Sequence, residues 1–530
     1  MSTELFTQAD LEQMAELGIT EDEARRQLAI LARGQRWATL VRPCTVGDGI
    51  VQLDPQDQER FISRWQAGAD EGRISAFVPA SGAATRMFAF LQRIRNEVDE
   101  VTLDTAAEIC GRASGDFREF RVFVRSLEEF AFLESLAEVM GKAGISLQEK
   151  LQSGVYNDIL DFLLEPQGLN YSSLPKALIP FHRYSDFFRT AMEEHLVESV
   201  RNLQDLKQVC RLHFTVAPEN QAEVEAHGRE AAAKYREHLG VQYELTFSTQ
   251  SPGTNTLAVD LENRPFRKLD GNLLFRPGGH GALLQNLNQL QGDIVLIKNI
   301  DNVVTDERRD LVVLHQRILA GMLLKVQDEV FNYLTLLSSG SFEASDLQRV
   351  LDFVVQQLNP SVEEQLRTCG DEEKIAKIFD LLNRPLRVCG MVVNRGEPGG
   401  GPFWVKDASG RLSLQIVEQA EIDRKSPEQV AILEDSTHFS PVQIVCGLRD
   451  FQGEPFDLNH FADPEAVFVS RKTEEGKELK ALELPGLWNG GMAHWNTIFV
   501  EVPEETFNPV KTINDLLRPG HRSGPRPEGQ

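Results

Sequence analysis

The chain is 530 residues long, with 41% apolar and 25% charged residues, enough for a substantial core and for one large elaborated domain or two to three ordinary ones. Its 80 acidic and 55 basic residues leave a formal charge of −25, which argues against general nucleic-acid affinity; small phosphates need only a few local cations, so they stay in play. The six cysteines (Cys44, Cys110, Cys210, Cys369, Cys389 and Cys446) form no C-x-x-C pair and read as buried reduced thiols rather than a zinc site or disulfide framework.

The opening residues are acidic and carry no apolar signal core, and no apolar run approaches the roughly 20 residues of a membrane span. The expectation is a cytoplasmic protein. Residues 1–73 read as a helical N-terminal region, with helical patterns over Glu21–Leu31 and Pro55–Gln66. Ile74–Ala80 is a short apolar run that reads as a buried strand entering a loop of small residues. Residues 88–170 return to helical spacing and read as a helical insertion.

From about residue 174 strands and helices alternate. Arg211–Val216, Tyr243–Ser248 and Asp293–Ile300 are strand candidates; Ala222–His238 and Leu283–Leu290 are helix candidates. Residues 306–382 are mostly helical. Strands return at Val388–Val393, Leu412–Val417, Gln443–Gly447, Ala466–Ser470 and Thr497–Val502. This alternation implies an α/β fold, a mixed sheet flanked by helices. The expected divisions are a core over 74–335, a helical connector over 336–384, a second α/β region over 385–518 and a disordered tail over 519–530.

The first chemical motif is Ser81-Gly82-Ala83-Ala84-Thr85-Arg86 after the Ile74–Ala80 strand. Small side chains let backbone N–H groups approach a phosphate, and Arg86 supplies a forked cation; a tight βα turn is the plain alternative. The segment is neither a P-loop nor a dinucleotide fingerprint. The second is Leu174-Pro175-Lys176-Ala177-Leu178-Ile179-Pro180; a solvated surface lysine is its plain alternative. The third runs from Pro277-Gly278-Gly279-His280-Gly281-Ala282-Leu283 to a buried strand and Asp301-Asn302. Glycines there let a base or phosphate lie on the backbone. An aspartate at the C-terminal end of a strand sits where open α/β sheets bind ligands, and its carboxylate suits Mg²⁺. A helix N-cap is the alternative for Asp301.

These three motifs, in this order, resemble the sugar-nucleotide pyrophosphorylases, and the third resembles the UDP-sugar and UDP-N-acetylhexosamine members. Ser81 and Ala84 stand where two of that family's three glycines would be, and Lys176 lies far downstream of Arg86. The resemblance implies a GT-A-like (Rossmann-like) fold and a nucleotidyltransferase that joins a nucleoside triphosphate, UTP first, to a phosphorylated sugar. It implies catalytic roles for Arg86, Lys176 and Asp301, with Asp301 holding Mg²⁺. Nucleotide contacts would come from Ser81, Gly82, Ala83, Thr85, Gln250, Gly279, His280 and Gly281.

Glu418 and Glu421 in Gln415–Ile422 resemble the same enzymes' sugar-binding E-x-x-E strand; two acids on a surface strand is the equal alternative. With Asn489, Asn496 and Lys511 they are the candidate acceptor residues. Almost the whole chain is also similar to a family defined by a domain of unknown function, DUF4301, through PASGAATRMF, FRPGGHGAL, IKNIDNVV and LWNGGMAHWNTIFVEVP. No G-x-S-x-G elbow or H-E-x-x-H is present, which speaks against common hydrolases. The remaining alternative is a non-catalytic nucleotide or sugar sensor.

Overall fold

The computed structural model describes residues 5–82, 84–367, 369–397, 399–474 and 476–523. The chain divides into two compact units: residues 1–77, 250–297 and 316–504 form the first, and residues 78–249, 298–315 and 505–530 form the second. The boundary expected at 335 falls inside a single helix, Arg309–Ser339.

In the first unit the mixed sheet runs in the order Thr45–Val46, Gly49–Val51, Asn496–Glu501, Leu386–Val393, Gln443–Gly447, Ile294–Lys298, Ile74–Pro79. Leu386–Val393 pairs parallel with Asn496–Glu501 and antiparallel with Gln443–Gly447. Ile294–Ile297 lies parallel to Ile74–Phe77. The strands Leu386–Val393, Gln443–Gly447 and Ile294–Lys298 are buried almost throughout, which is why they read as continuous apolar runs rather than alternations. Phe77, Leu287, Val295, Ile297, Ile444 and Phe499 form the centre of the core. A separate three-stranded sheet is built from Leu40–Pro43, Gly400–Lys406 and Leu412–Glu418.

The N-terminal region is not purely helical. Helices Gln8–Leu17, Glu21–Arg33 and Pro55–Asp70 are interrupted by the strands Leu40–Pro43, Thr45–Val46 and Gly49–Val51. The strands are only two to four residues long, too short to show a period of two in the sequence, and they persist because neighbouring strands complete their hydrogen bonds.

In the second unit Val209–Val216 and Gln242–Thr249 pair in parallel over eight residues. Helix Gln221–Leu239 connects them, as a parallel pair requires. Six α-helices lie between Ala89 and Leu164. At the far end, Pro519–His521, assigned to the tail on sequence, forms a 3₁₀ turn with His521 buried. Residues 524–530 lie outside the described residues.

Candidate functional site

Lys298 closes the strand Ile294–Lys298, and both oxygens of Glu198 accept from its buried Nζ at 2.7 Å. The turn that follows is pinned from several sides. Ile300 N donates to Pro79 O at 3.3 Å. Burial, helped by the Lys298 charge, lowers the His195 imidazole to about 4; being neutral, its Nε2 donates to Ile300 O at 3.2 Å. Asn508 N donates to Asn302 Oδ1 at 2.8 Å, and Val510 N to Asp301 O at 3.1 Å. Asn302 therefore shapes the turn.

Asp301, 5% exposed, sits at the tip of this turn. Lys176, in the 3₁₀ turn Lys176–Leu178, donates to Asp301 Oδ2 at 2.7 Å and to Val510 O at 2.6 Å. Lys511 Nζ donates to the same Oδ2 at 3.2 Å. The Lys511 backbone is held because its N–H and that of Thr512 both donate to Asp515 Oδ2 at 2.7 Å. Burial alone would raise the Asp301 carboxyl, but the two ammonium groups outweigh it and hold it below its ordinary range. Burial pulls Lys176 down, and Lys511 and Arg86 add to this against the pull of Asp301. Two cations thus share one carboxylate oxygen, leaving the cluster net positive.

Arg86 ends the 3₁₀ turn Ala84–Arg86 and is exposed. Thr85 Oγ1 donates to Ser172 O at 3.3 Å, which ties its hydroxyl to the chain. Ala84 N donates to Leu174 O at 3.1 Å, so that amide is committed within the protein. Ala84 is absent from the positive-φ residues among those described, so its Cβ costs the backbone nothing. Gly82 has open space where a Cβ would sit. Ser81 follows the strand Ile74–Pro79 and is half-buried, and Ala83 lies outside the described residues.

The same unit also holds a buried hub. Glu194 accepts from Tyr184 Oη at 2.8 Å and from Arg309, and lies 2.8 Å from His182 Nδ1. His182 Nε2 in turn lies 2.8 Å from His521 Nδ1. Arg309 and Arg189 also pair with Asp306. Burial would raise the Glu194 carboxyl; His182, Arg309 and Arg189 hold it down. His182, Arg309 and His521 follow Lys176, Asp301 and Lys511 along the chain, so the hub ties together the three segments that carry the cluster. Sequence reading missed it, because only the fold brings these charges together.

The remaining candidates fall in the first unit. His280 stacks on Trp488 with ring centroids 4.5 Å apart and an interplanar angle of 25°. Its Nε2 lies 3.2 Å from Glu418 Oε1, and its Nδ1 accepts from Leu487 N at 3.2 Å. Gly279 needs its glycine for a φ of +74°. A Cβ on Gly281 would meet Pro485 O at 2.4 Å, so the glycine turn is packed beneath its own chain at Leu484–Pro485. Gln250 follows the strand Gln242–Thr249 and is half-buried.

Glu421 Oε2 accepts from Glu418 N at 2.7 Å and from Asn489 Nδ2 at 2.8 Å. Burial pushes the Glu421 carboxyl up to about 7, against those hydrogen bonds. It lines a pocket of about 200 Å³ with Trp37, Gln415 and Asn489. Asn496 is turned to another task, as its Nδ2 donates to Leu381 O at 2.9 Å.

The donor set decides which cation the site could take. No group of three His, Cys, Asp or Glu among the described residues could hold an ion. Asp301 offers one carboxylate. Mg²⁺ is commonly held by one or two carboxylates plus substrate phosphates, so Asp301 fits a cation that arrives with a phosphate ligand, rather than one caged by protein alone. No helix among the described residues is long and apolar enough to cross a membrane.

No curated protein matches the chain in sequence at a significant level. Among solved structures, the uridine diphosphate N-acetylglucosamine pyrophosphorylase of Trypanosoma brucei, in complex with inhibitor, is 12% identical with a TM-score of 0.46, over 96% of this chain and 79% of that one. A UDP-glucose pyrophosphorylase variant of Leishmania major in complex with UDP-glucose is 12% identical with a TM-score of 0.44, over 98% and 79%. The UDP-glucose phosphorylase of Trypanosoma brucei is 13% identical with a TM-score of 0.43, over 96% and 77%. The model for a domain of unknown function, DUF4301, matches residues 7–522, and the chain belongs to that family.

Proposed function

We propose that the protein is a metal-dependent nucleotidyltransferase that joins a nucleoside triphosphate, UTP first, to a sugar phosphate or similar phosphorylated acceptor and releases pyrophosphate. The observation that carries this reading is the convergence of Lys176 and Lys511 on the buried Asp301. It is joined by the order of the Arg86, Lys176 and Asp301 motifs, and by Arg86 lying close enough to act on Lys176.

Phosphoryl transfer of this kind asks for positioning and charge neutralisation more than for a covalent nucleophile. The acceptor phosphate oxygen attacks the α-phosphorus of the triphosphate, the bond from that phosphorus to the β-bridging oxygen breaks, and pyrophosphate leaves. Lys176 and Lys511 exchange part of their contact with Asp301 for phosphate oxygens. Arg86 supports the leaving pyrophosphate, and Asp301 keeps both ammonium groups oriented beforehand. Mg²⁺ bound with the triphosphate would neutralise phosphate charge at Asp301. Within the first unit, Glu418, Glu421 and Asn489 offer hydrogen-bonding groups of the kind that pair with hydroxyls.

One observation favours a second reading, a nucleotide or sugar sensor: the Ala84 amide is occupied by Leu174 O, which removes one phosphate donor from the first motif. Pyrophosphate release separates the two. It is measured with Mg²⁺, each of four nucleoside triphosphates and a panel of sugar phosphates. The expected result is release with one pair, lowered at least about 100-fold in Asp301→Ala and Lys176→Ala. Nucleotide binding without release favours the sensor, and absence of both overturns the two readings together.

A further inference from the structure

The helix Asp371–Leu382 is followed by Asn383-Arg384-Pro385. In the first unit Arg384, Arg411, His460 and His494 line one open cavity of about 420 Å³ with Asn383, Phe461 and Asp380. Arg384, Arg411 and His494 also line an adjoining cavity of about 90 Å³ with Trp495 and Leu414. Nothing in the proposed transferase reaction uses these residues.

The charges here are unevenly matched. Arg411 donates Nε to Asp407 at 2.8 Å. That carboxylate also accepts from the N–H groups of Ser409 and Arg411. Arg384 donates Nε only to Asp380 O, at 2.9 Å. Among the described residues no carboxylate forms an ion pair with it, and it is half-buried; the Asp380 carboxylate acts on it only at longer range. Burial, and then the charge of Arg411, lower the Arg384 guanidinium against the pull of Asp380. Burial also lowers His494, with Arg384 and Arg411 adding to the effect against Asp463 and Asp407, and the ring has no hydrogen-bond partner among the described residues.

Two guanidinium groups therefore face a common space, with an unengaged imidazole beside them. Asp407 engages Arg411 and Asp380 offsets Arg384 in part, yet the two cations still repel across the cavity unless an anion lies between them. Forked N–H donors on separate segments, with an imidazole alongside, match the oxygens of a tetrahedral dianion better than a point charge does.

We propose that this cavity is a phosphate-group site for a small phosphomonoester, held by Arg384, Arg411 and His494, and built from residues other than the Lys176–Asp301–Lys511 cluster. The ligand's phosphate bridges the two guanidinium groups, and His494 donates to a third oxygen. Such a site would let the level of a phosphorylated metabolite act on the protein apart from its reacting phosphates.

The test is isothermal titration of the full chain at low ionic strength with sulfate, and then with glycerol 3-phosphate. Sulfate is chosen because it remains a dianion across the working pH range. The expected result is saturable binding of both, weakened about tenfold or more in Arg384→Gln and in Arg411→Gln, and retained in Lys511→Gln. Arg411 has a side chain 48% exposed, so its replacement leaves the fold intact even if Arg384→Gln perturbs it; thermal melts check both. Absence of saturable binding in the native chain overturns the proposal. So does binding that survives Arg411→Gln and Arg384→Gln, or binding lost in Lys511→Gln alone, which would assign the anion to the other cluster.

Discussion

Asp301, buried in a turn of the second unit, and Glu421, half-buried in a 3₁₀ turn of the first, are driven in opposite directions by their surroundings. Asp301 lies against two ammonium groups and is held below its ordinary range. Glu421 accepts from an amide N–H and an Asn side chain, and rises to about 7. Burial is the first cause in both cases. What separates them is a cation within hydrogen-bond reach. The first arrangement is a standing charge cluster suited to phosphates. The second is a group that can donate a proton in a hydrogen bond near neutral pH, suited to hydroxyls or carbonyls.

Glu194 extends the comparison. Like Asp301 it is a buried carboxylate compensated by cations, but its partners are themselves buried. Removing its charge is the largest expected perturbation. Glu194→Gln should cost about 3–5 kcal/mol in urea unfolding, because Arg309 and Arg189 lose their compensation away from water. A cost below about 1 kcal/mol would show that the hub does not tie its three segments together.

Asp301→Asn comes next, at about 2–4 kcal/mol, because Lys511 can swing into water while Lys176 cannot. The sign with pH follows from the depressed carboxyl. Its contribution is present above the unfolded value of about 4 and is lost as pH falls through the lower folded value. The native chain should therefore lose stability on acidification in this window more steeply than Asp301→Asn, measured by melts between pH 5 and 3. Equal slopes would remove Asp301 from the comparison.

The two clusters were not equally legible in the sequence. Arg86 and Asp301 stand out because each follows an apolar strand at its turn, and Lys176 because it sits between a proline and an apolar run. Their meeting does not, since 125 residues separate Lys176 from Asp301 and 210 separate Asp301 from Lys511. The strands Ile294–Lys298 and Gln443–Gly447 and the helix Leu283–Leu290 were readable from apolar runs and helical spacing. Gly400–Lys406 was not, because Gly-Gly-Pro reads as a turn. In the structure it is a strand flanked by two others, and a Cβ on Gly400 would meet Ile416 at 2.7 Å. Lys477–Glu483 is rich in helix-forming residues yet pairs with Phe468–Glu474 over seven positions, a case of cross-strand pairing overriding propensity. The glycines near His280 were read as room for a base; Gly281 has a packing reason in its approach to Pro485 O.

Glu421→Gln sharpens the contrast from the other side. A carboxyl raised to about 7 favours the folded state while it is protonated. Its stability is therefore fully present below the unfolded value of about 4.5 and lost as pH rises through the folded value near 7. Glutamine keeps an acceptor oxygen and carries no charge. The variant should be more stable than the native chain at pH 8 by roughly 1–2 kcal/mol, with the gain shrinking toward pH 5, read as the difference in Tm. A gain independent of pH would mean that Glu421 stays charged, and that the two carboxylates do not differ in kind.

The smallest expected change in stability is the most informative about function. The Lys511 side chain is 56% exposed, and a half-exposed ion pair is worth only about 0–1 kcal/mol, so Lys511→Gln should melt within a few degrees of the native chain. Its lysine nevertheless shares Asp301 Oδ2 with Lys176. If the pair is a phosphate clamp, pyrophosphate release in Lys511→Gln should fall by roughly 10- to 100-fold with the fold intact. Unchanged activity beside unchanged stability would leave Lys176 as the working cation and Lys511 as a surface partner of Asp301. A large loss of stability instead would mean that the cluster serves to fix the segment Val510–Asp515 rather than to receive phosphate.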